Sequence, residues 1–275
     1  TLRIALIVPV AANLTLGQIH GNAQVNGVRG QITIQQVHGN LHGEGLGATR
    51  LGRVDGDFSV RGVAGPLVVG FVGGNASAYE IKGNVQVEHC GGNCSVREAE
   101  GQITLGRVRG NASAHETNDL VVDSVSGNLS LKELNGSVRA TKVSGNVSAV
   151  ETTGDLTVEW VGGDLKVREL MGGLKAKVGG TAKLDLAELS IPFVTVQAGG
   201  DVRCRVPLEV NAKLDLRAGD ELILRNLPMP DEWNARQAQY TLGNGEGRLE
   251  LQAGGRVKLI GGEGEEAQPD WENQW

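Results

Sequence analysis

Apolar residues recur along this chain with a nine-residue beat. From Ala12 to Val178 the sequence divides into units of the form G-[ND]-φ-x-φ-x-x-φ-x, where φ is apolar. Gly83-Asn84-Val85-Gln86-Val87, Gly92-Asn93-Cys94-Ser95-Val96 and Gly154-Asp155-Leu156-Thr157-Val158 are examples. Unit starts fall at 12, 21, 30, 39, 47, 56, 65, 74, 83, 92, 101, 110, 118, 127, 136, 145, 154, 163 and 172, nineteen in all, with eight-residue steps before 47 and 118. Apolar residues at positions three and five alternate with polar ones, which predicts a short strand with one inward face. Position eight (Ile19, Val28, Val37, Val54, Val63, Val72) returns a third residue to the core. Gly at position one is expected to supply the backbone freedom of a tight corner.

Two units make one turn. In the units starting at 21, 39, 56, 74, 92, 110, 127, 145 and 163 the second residue is Asn22, Asn40, Asp57, Asn75, Asn93, Asn111, Asn128, Asn146 and Asp164. The alternate units are looser there: Asn13, Gln31, Ala48, Pro66, Asn84, Gln102, Asp119, Ser137, Asp155 and Gly173. Near-copies also return at even separations, as Gly74-Asn75-Ala76-Ser77-Ala78 does at Gly110-Asn111-Ala112-Ser113-Ala114. The predicted fold is therefore all-β: a single-stranded parallel β-solenoid, or β-helix, with about 18 residues per coil as two nine-residue units. Asn or Asp in register on every coil predicts a structural ladder along one corner.

The pattern changes after Gly179. Ala182-Lys183-Leu184-Asp185-Leu186 and Ala212-Lys213-Leu214-Asp215-Leu216 are alternating strands separated by Gly or Pro. The expected organisation is an N-terminal capping strand over 1–11, a regular solenoid over 12–178, wider terminal coils or a capping sheet over 179–261, and an acidic flexible tail over 262–275. A cap matters because an open coil exposes a strand edge that would pair with another copy. The apolar run Ile4–Val10 is too short to span a bilayer.

Composition then explains the rest. The 275 residues include 42 Gly but only 7 Pro, with no three-residue Gly period, so collagen is excluded. Aromatic residues are 3%, and thin stacked coils have room for Val, Leu and Ala but little else. A net charge of -6 offers no basic footprint for nucleic acid and no general attraction to anionic membranes.

Chemistry could be written only in the outward columns. Position seven of the better-ordered units reads Gly27, Gly45, Gly62, then Glu80, Glu98, Glu116, Glu133, Glu151 and Glu169. Those six carboxylates form a candidate cation site or docking stripe; alternatively they are a solvated edge, paired with position-six residues such as Arg97, His115, Lys132 and Arg168. Position four is a hydroxyl column: Ser59, Ser77, Ser95, Ser113, Ser130 and Ser148. Cys90 and Cys94 take core positions as small apolar residues or as a local disulfide, and His20 and His38 share a corner one coil apart, with His42 nearby. No catalytic motif and no cofactor motif occurs, and the units carry no long loops, so the expectation is a non-enzyme without a cofactor.

The Gly-[Asn/Asp]-[Val/Leu]-x-[Val/Leu] units resemble a bacterial adhesin-type β-solenoid family of otherwise unknown function, over about 12–261. The resemblance implies a structural or adhesive solenoid at a bacterial cell surface or envelope, extracellular or envelope-located, with a surface polysaccharide or protein as partner. A second resemblance is to bactofilin-type solenoids. It implies a self-assembling cytoplasmic scaffold or filament, stacked through its terminal coils. A polysaccharide-binding or carbohydrate-active protein is the third reading.

Overall fold

The nine-residue unit becomes one six-residue strand and one three-residue corner. The computed structural model describes residues 7–186, 193–230 and 233–262. All regular structure in them is β, and the chain divides into two compact units, residues 1–143 and 144–275.

The first unit holds β1 (Leu14–Ile19), β2 (Ala23–Asn26), β3 (Ile32–Val37), β4 (Leu41–Leu46) and β5 (Thr49–Val54). It continues with β6 (Phe58–Val63), β7 (Leu67–Val72), β8 (Ala76–Ile81), β9 (Val85–Cys90) and β10 (Cys94–Ala99). It ends with β11 (Ile103–Val108), β12 (Ala112–Thr117), β13 (Leu120–Val125), β14 (Leu129–Leu134) and β15 (Val138–Val143). Odd strands pair in parallel with odd ones and even strands with even ones, as Cys94↔Ala112 and Val85↔Ile103 illustrate. Each strand therefore lies on the one two units earlier, which is the parallel β-solenoid of about 18 residues per coil that the repeat predicts.

Positions three, five and eight of each unit face inward. In β3 these are Ile32, Ile34 and Val37, each at most 2% exposed. Full burial of one such side chain is worth about 1.5–3 kcal/mol, so the core is a stack of equivalent layers rather than a centre. Core position five of β4 is Gly43, and Leu46 leans into the space that a side chain there would fill. The two eight-residue steps cost nothing in the strands. They shorten a corner to two residues, 47–48 and 118–119, and the pairing distance falls to 17 residues at Ile32↔Thr49 and Ile103↔Leu120.

The second unit begins in the same manner with β16 (Val147–Thr152), β17 (Leu156–Val161), β18 (Leu165–Leu170) and β19 (Leu174–Val178). Shorter strands follow: β20 (Ala182–Asp185), β21 (Val194–Ala198), β22 (Val202–Val206), β23 (Ala212–Ala218) and β24 (Leu222–Arg225). The last are β25 (Trp233–Asn234), β26 (Gln237–Leu242), β27 (Gly247–Ala253) and β28 (Val257–Gly261). Here chain order and spatial order part. β27 lies between β21 and β23, parallel to both, and β28 lies between β22 and β24. The chain thus lays down the β23–β24 coil one place too far on, turns back through the hairpin β25–β26, and fills the gap with its last coil. β26 runs antiparallel along β23, so the outer edge of that sheet is covered by a strand of opposite direction.

Over 179–261, where wider terminal coils or a capping sheet are expected, the described strands continue the two sheets, with an inserted coil that alternation alone did not reveal. Residues 7–11, the described part of the expected capping strand, form turns and irregular backbone, and the Ala12 amide donates to the Pro9 carbonyl at 2.9 Å. The tail expected over 262–275 lies, from residue 263 on, outside the described residues.

Three buried threonines take core positions among the described residues. Thr49 Oγ1 donates to the Gly47 carbonyl at 3.0 Å, whereas Thr117 and Thr152 take position eight at 1% and 0% exposure and neither Oγ1 has a hydrogen-bond partner. A buried hydroxyl without a partner costs about 1–3 kcal/mol, and Val is its isostere. Thr152→Val should raise stability by about 1 kcal/mol, read as a higher denaturant midpoint at unchanged slope.

Candidate functional site

The corner ladder is built from backbone donors and side-chain acceptors. The amide of Asn93 donates to Asn75 Oδ1 at 2.9 Å, that of Asn111 to Asn93 Oδ1 at 2.8 Å, and that of Asn128 to Asn111 Oδ1 at 2.8 Å. The same bond joins Asn40 to Asn22, Asp57 to Asn40 and Asn75 to Asp57 in the first unit, and Asp164 to Asn146 in the second. Only the oxygen is needed, which is why Asp57 and Asp164 can replace Asn. The looser units use it too wherever they carry the residue, as Asn84 does for Gln102 and Asp155 for Gly173.

Gly at position one has a different reason from the expected one. Gly92 does not occupy the left-handed region; a Cβ there would sit 2.6 Å from Asn75 Oδ1 and 2.9 Å from the Gly74 carbonyl. At Gly92, close approach between coils rather than turn conformation is what a larger residue would violate, whereas Asn118 takes position one at one of the two eight-residue steps.

The left-handed backbone lies instead under the acidic column. Glu80, Glu98, Glu116 and Glu133 on β8, β10, β12 and β14 have φ of 57°, 51°, 52° and 54°; Glu151 and Glu169 in the second unit have 55° and 53°. Gly27, Gly45 and Gly62 hold the same position at 70°, 62° and 69°. The register runs on unbroken across it: Arg97 pairs with Tyr79 and Ala99 with Ile81, so Glu98 lies opposite Glu80, both in the same left-handed conformation. For an L-residue with a Cβ this conformation costs about 1–2 kcal/mol.

Position six supplies the offsetting charge, as its sequence suggests. Arg61 Nη2 lies 3.1 Å from Glu80 Oε1, with its guanidinium over the Tyr79 ring at 4.9 Å. Lys132 Nζ lies 2.7 Å from Glu133 Oε1. His115 Nε2 is 3.5 Å from an oxygen of each of Glu116 and Glu133. The hydrogen bond from Lys132 is foremost in holding the Glu133 carboxyl below its ordinary range, against an opposing desolvation, and His115 adds to it. Within the first unit the expected stripe is thus a row of locally paired carboxylates that converge on an imidazole at one place.

The remaining candidates fall into place around it. Ser113 Oγ donates to Ser95 Oγ at 3.0 Å, so part of the hydroxyl column bonds to itself. Cys90, Cys94 and Cys204 are free, buried thiols; the hydrogen bond that Cys94 donates to Cys90, together with burial, pushes the Cys94 thiol up. His20 and His38 stack with ring centroids 4.8 Å apart, and His38 Nδ1 lies 2.9 Å from Asp55 Oδ2. The Asp55 carboxyl is held low first by its hydrogen bond from Arg53.

The second unit adds two surfaces that the repeat did not reveal. A shallow groove of about 150 Å³ on β21, β27 and β23 is lined by Thr195, Gln197, Asp215, Arg217, Glu250 and Gln252. On the other sheet Lys166, Lys183, Arg203 and Lys258 follow one another in register. Burial first, then Arg203 and Lys166, pull the Lys183 ammonium below its usual range. The groove needs the inserted coil, and so does the last member of the basic row, Lys258.

These elements define a β-solenoid repeat protein whose outward chemistry is columnar. No family model matches the chain, and neither does any curated protein or solved structure. Among the described residues no helix is long and apolar enough to cross a membrane.

Substitutions at two residues separate ladder from column. Asn93→Ala removes the acceptor for the Asn111 amide and should cost about 1 kcal/mol, whereas Asn93→Asp should be nearly neutral, measured by urea denaturation. Glu169→Gly relieves the left-handed backbone and should stabilise by about 0.5–1 kcal/mol, whereas Glu169→Ala keeps the Cβ and should change little.

Proposed function

We propose that this protein is a non-enzymatic structural or adhesive β-solenoid of a bacterial cell surface or envelope. The observation that carries the reading is the outward column. Serine, acidic and basic side chains each recur one coil apart in strand register, so a face offers the same groups at a repeat of about 4.8 Å. A lattice of that kind complements a partner that is itself repetitive, such as an envelope polysaccharide or an arrayed protein. The polar groove on β21, β27 and β23 fits the same class of partner, because its planar amide, carboxylate and guanidinium groups are already oriented by one another. The alternative, a scaffold stacking through its terminal coils, has the hairpin β25–β26 against it, since an antiparallel strand lies where a parallel coil would add.

Co-sedimentation of the purified chain with isolated bacterial envelopes, read alongside polymer length, tests this. The expected result is a chain that pellets with the envelopes and leaves their polymers unshortened. A chain that stays in the supernatant, or polymers that lose length, would overturn it.

A further inference from the structure

The acidic column meets an imidazole once in the first unit, at β12 and β14. His115 and Glu116 are neighbours on β12, while Glu133 reaches across from β14, one coil on. The left-handed backbone at Glu116 and Glu133 sets both carboxylates beside the strand rather than along it, and so aims them at the same point. One ligand atom from each of the three residues lies within 4.8 Å of the other two. His115 Nε2 stands 3.5 Å from a carboxylate oxygen on either side, is shielded from solvent, and makes no hydrogen bond.

We propose that His115, Glu116 and Glu133 form a site for a divalent transition metal, zinc in the first instance, that clips two successive coils together. The donor set is one neutral imidazole nitrogen and two carboxylates, with solvent left to supply the fourth ligand. For tetrahedral zinc, with ligand bonds of about 2.0–2.2 Å, neighbouring donors stand about 3.3 Å apart. Both nitrogen-to-oxygen separations are within a few tenths of an ångström of that, and the two carboxylates, whose ligand oxygens lie within 4.8 Å of each other, draw together on the ion to complete the site. An imidazole that offers its nitrogen to two carboxylates without bonding either is a lone pair, or a proton, in need of a partner, and a metal supplies one without a change of rotamer. A hard oxygen-seeking cation such as Ca²⁺ would use the carboxylates but gain nothing from the nitrogen, so the site discriminates towards metals that bind imidazole.

Lys132 is the built-in competitor. Its ammonium already sits on Glu133 Oε1 at 2.7 Å, and the entering metal has to share or displace it. The position-six neighbour on the preceding coil, Arg97, adds positive charge to the same side, and Glu98 in the next position of the acidic column adds negative charge. Proton and metal compete for His115, so affinity falls as pH is lowered.

Calorimetric titration of the untagged full chain with zinc chloride, together with thermal melts, tests the proposal. The expected result is one bound ion per chain and a higher melting temperature in its presence. His115→Ala and Glu133→Gln should each weaken that site at least tenfold, and Lys132→Met should tighten it severalfold. Co²⁺ added to the unmodified chain should give the intense visible bands of a four-coordinate ion, a readout independent of any variant. Absence of zinc binding, a Co²⁺ spectrum identical to the aqueous ion, or zinc binding undiminished in folded His115→Ala would each overturn it.

Discussion

The structure depends on one constraint: what leaves a coil unsatisfied must be satisfied by the same residue one coil away. Strand amides and carbonyls pair along the parallel sheets, but the corners have no sheet to use. There the Gly92 amide reaches the Gly74 carbonyl at 2.8 Å, and the Asn93 amide reaches Asn75 Oδ1 at 2.9 Å. Both bonds require the corners to stack closely, and at Gly92 that leaves no room for a Cβ. A residue is thus chosen by its counterpart on the adjacent coil, and the sequence repeats because the hydrogen bonds do.

The same constraint concentrates chemistry on the outside. Once positions three, five and eight are buried and the corner is committed to its ladder, positions four, six and seven are all that remain free to vary. Like residues then align whether or not they attract one another. Aligned carboxylates and aligned ammonium groups both repel, and interleaved opposite charge offsets this, as Arg61 does beside Glu80 and Lys132 beside Glu133. Glu98 shares the left-handed backbone of Glu80 one coil before it. Surface ion pairs of this kind contribute little to stability individually, so the column is available for binding at small structural cost.

Much of this is legible in the residues, and the exceptions are instructive. Asn and Asp interchange at position two because a side-chain oxygen is the only requirement, and the sequence displays both. Position seven was readable in principle: Gly27, Gly45 and Gly62 precede the glutamates there, and glycine in that column signals positive φ. Glutamate is an unusual occupant of that conformation, so the charge hides the backbone signal. Cys90 and Cys94 take the core positions that their spacing suggests; that spacing leaves a disulfide open, and in the structure both thiols are free. The convergence of His115, Glu116 and Glu133 was half visible, as adjacent columns, but the approach of Glu133 to a residue 18 positions away is set by the pairing of β12 with β14.

What the sequence determined by itself is everything that repeats: the strand, the corner, the 18-residue coil, the inward triplet and the ladder. Period is a local property, and each unit states it again. What only the tertiary structure decided is order. The strands β21, β23 and β27 carry the same alternation, so any of them could neighbour any other. The insertion of β27 and β28 between earlier coils is settled by pairing across 55 residues, as between Asp201 and the Arg256 amide at 2.8 Å. Alternation says which face of a strand is buried; it does not say beside which strand.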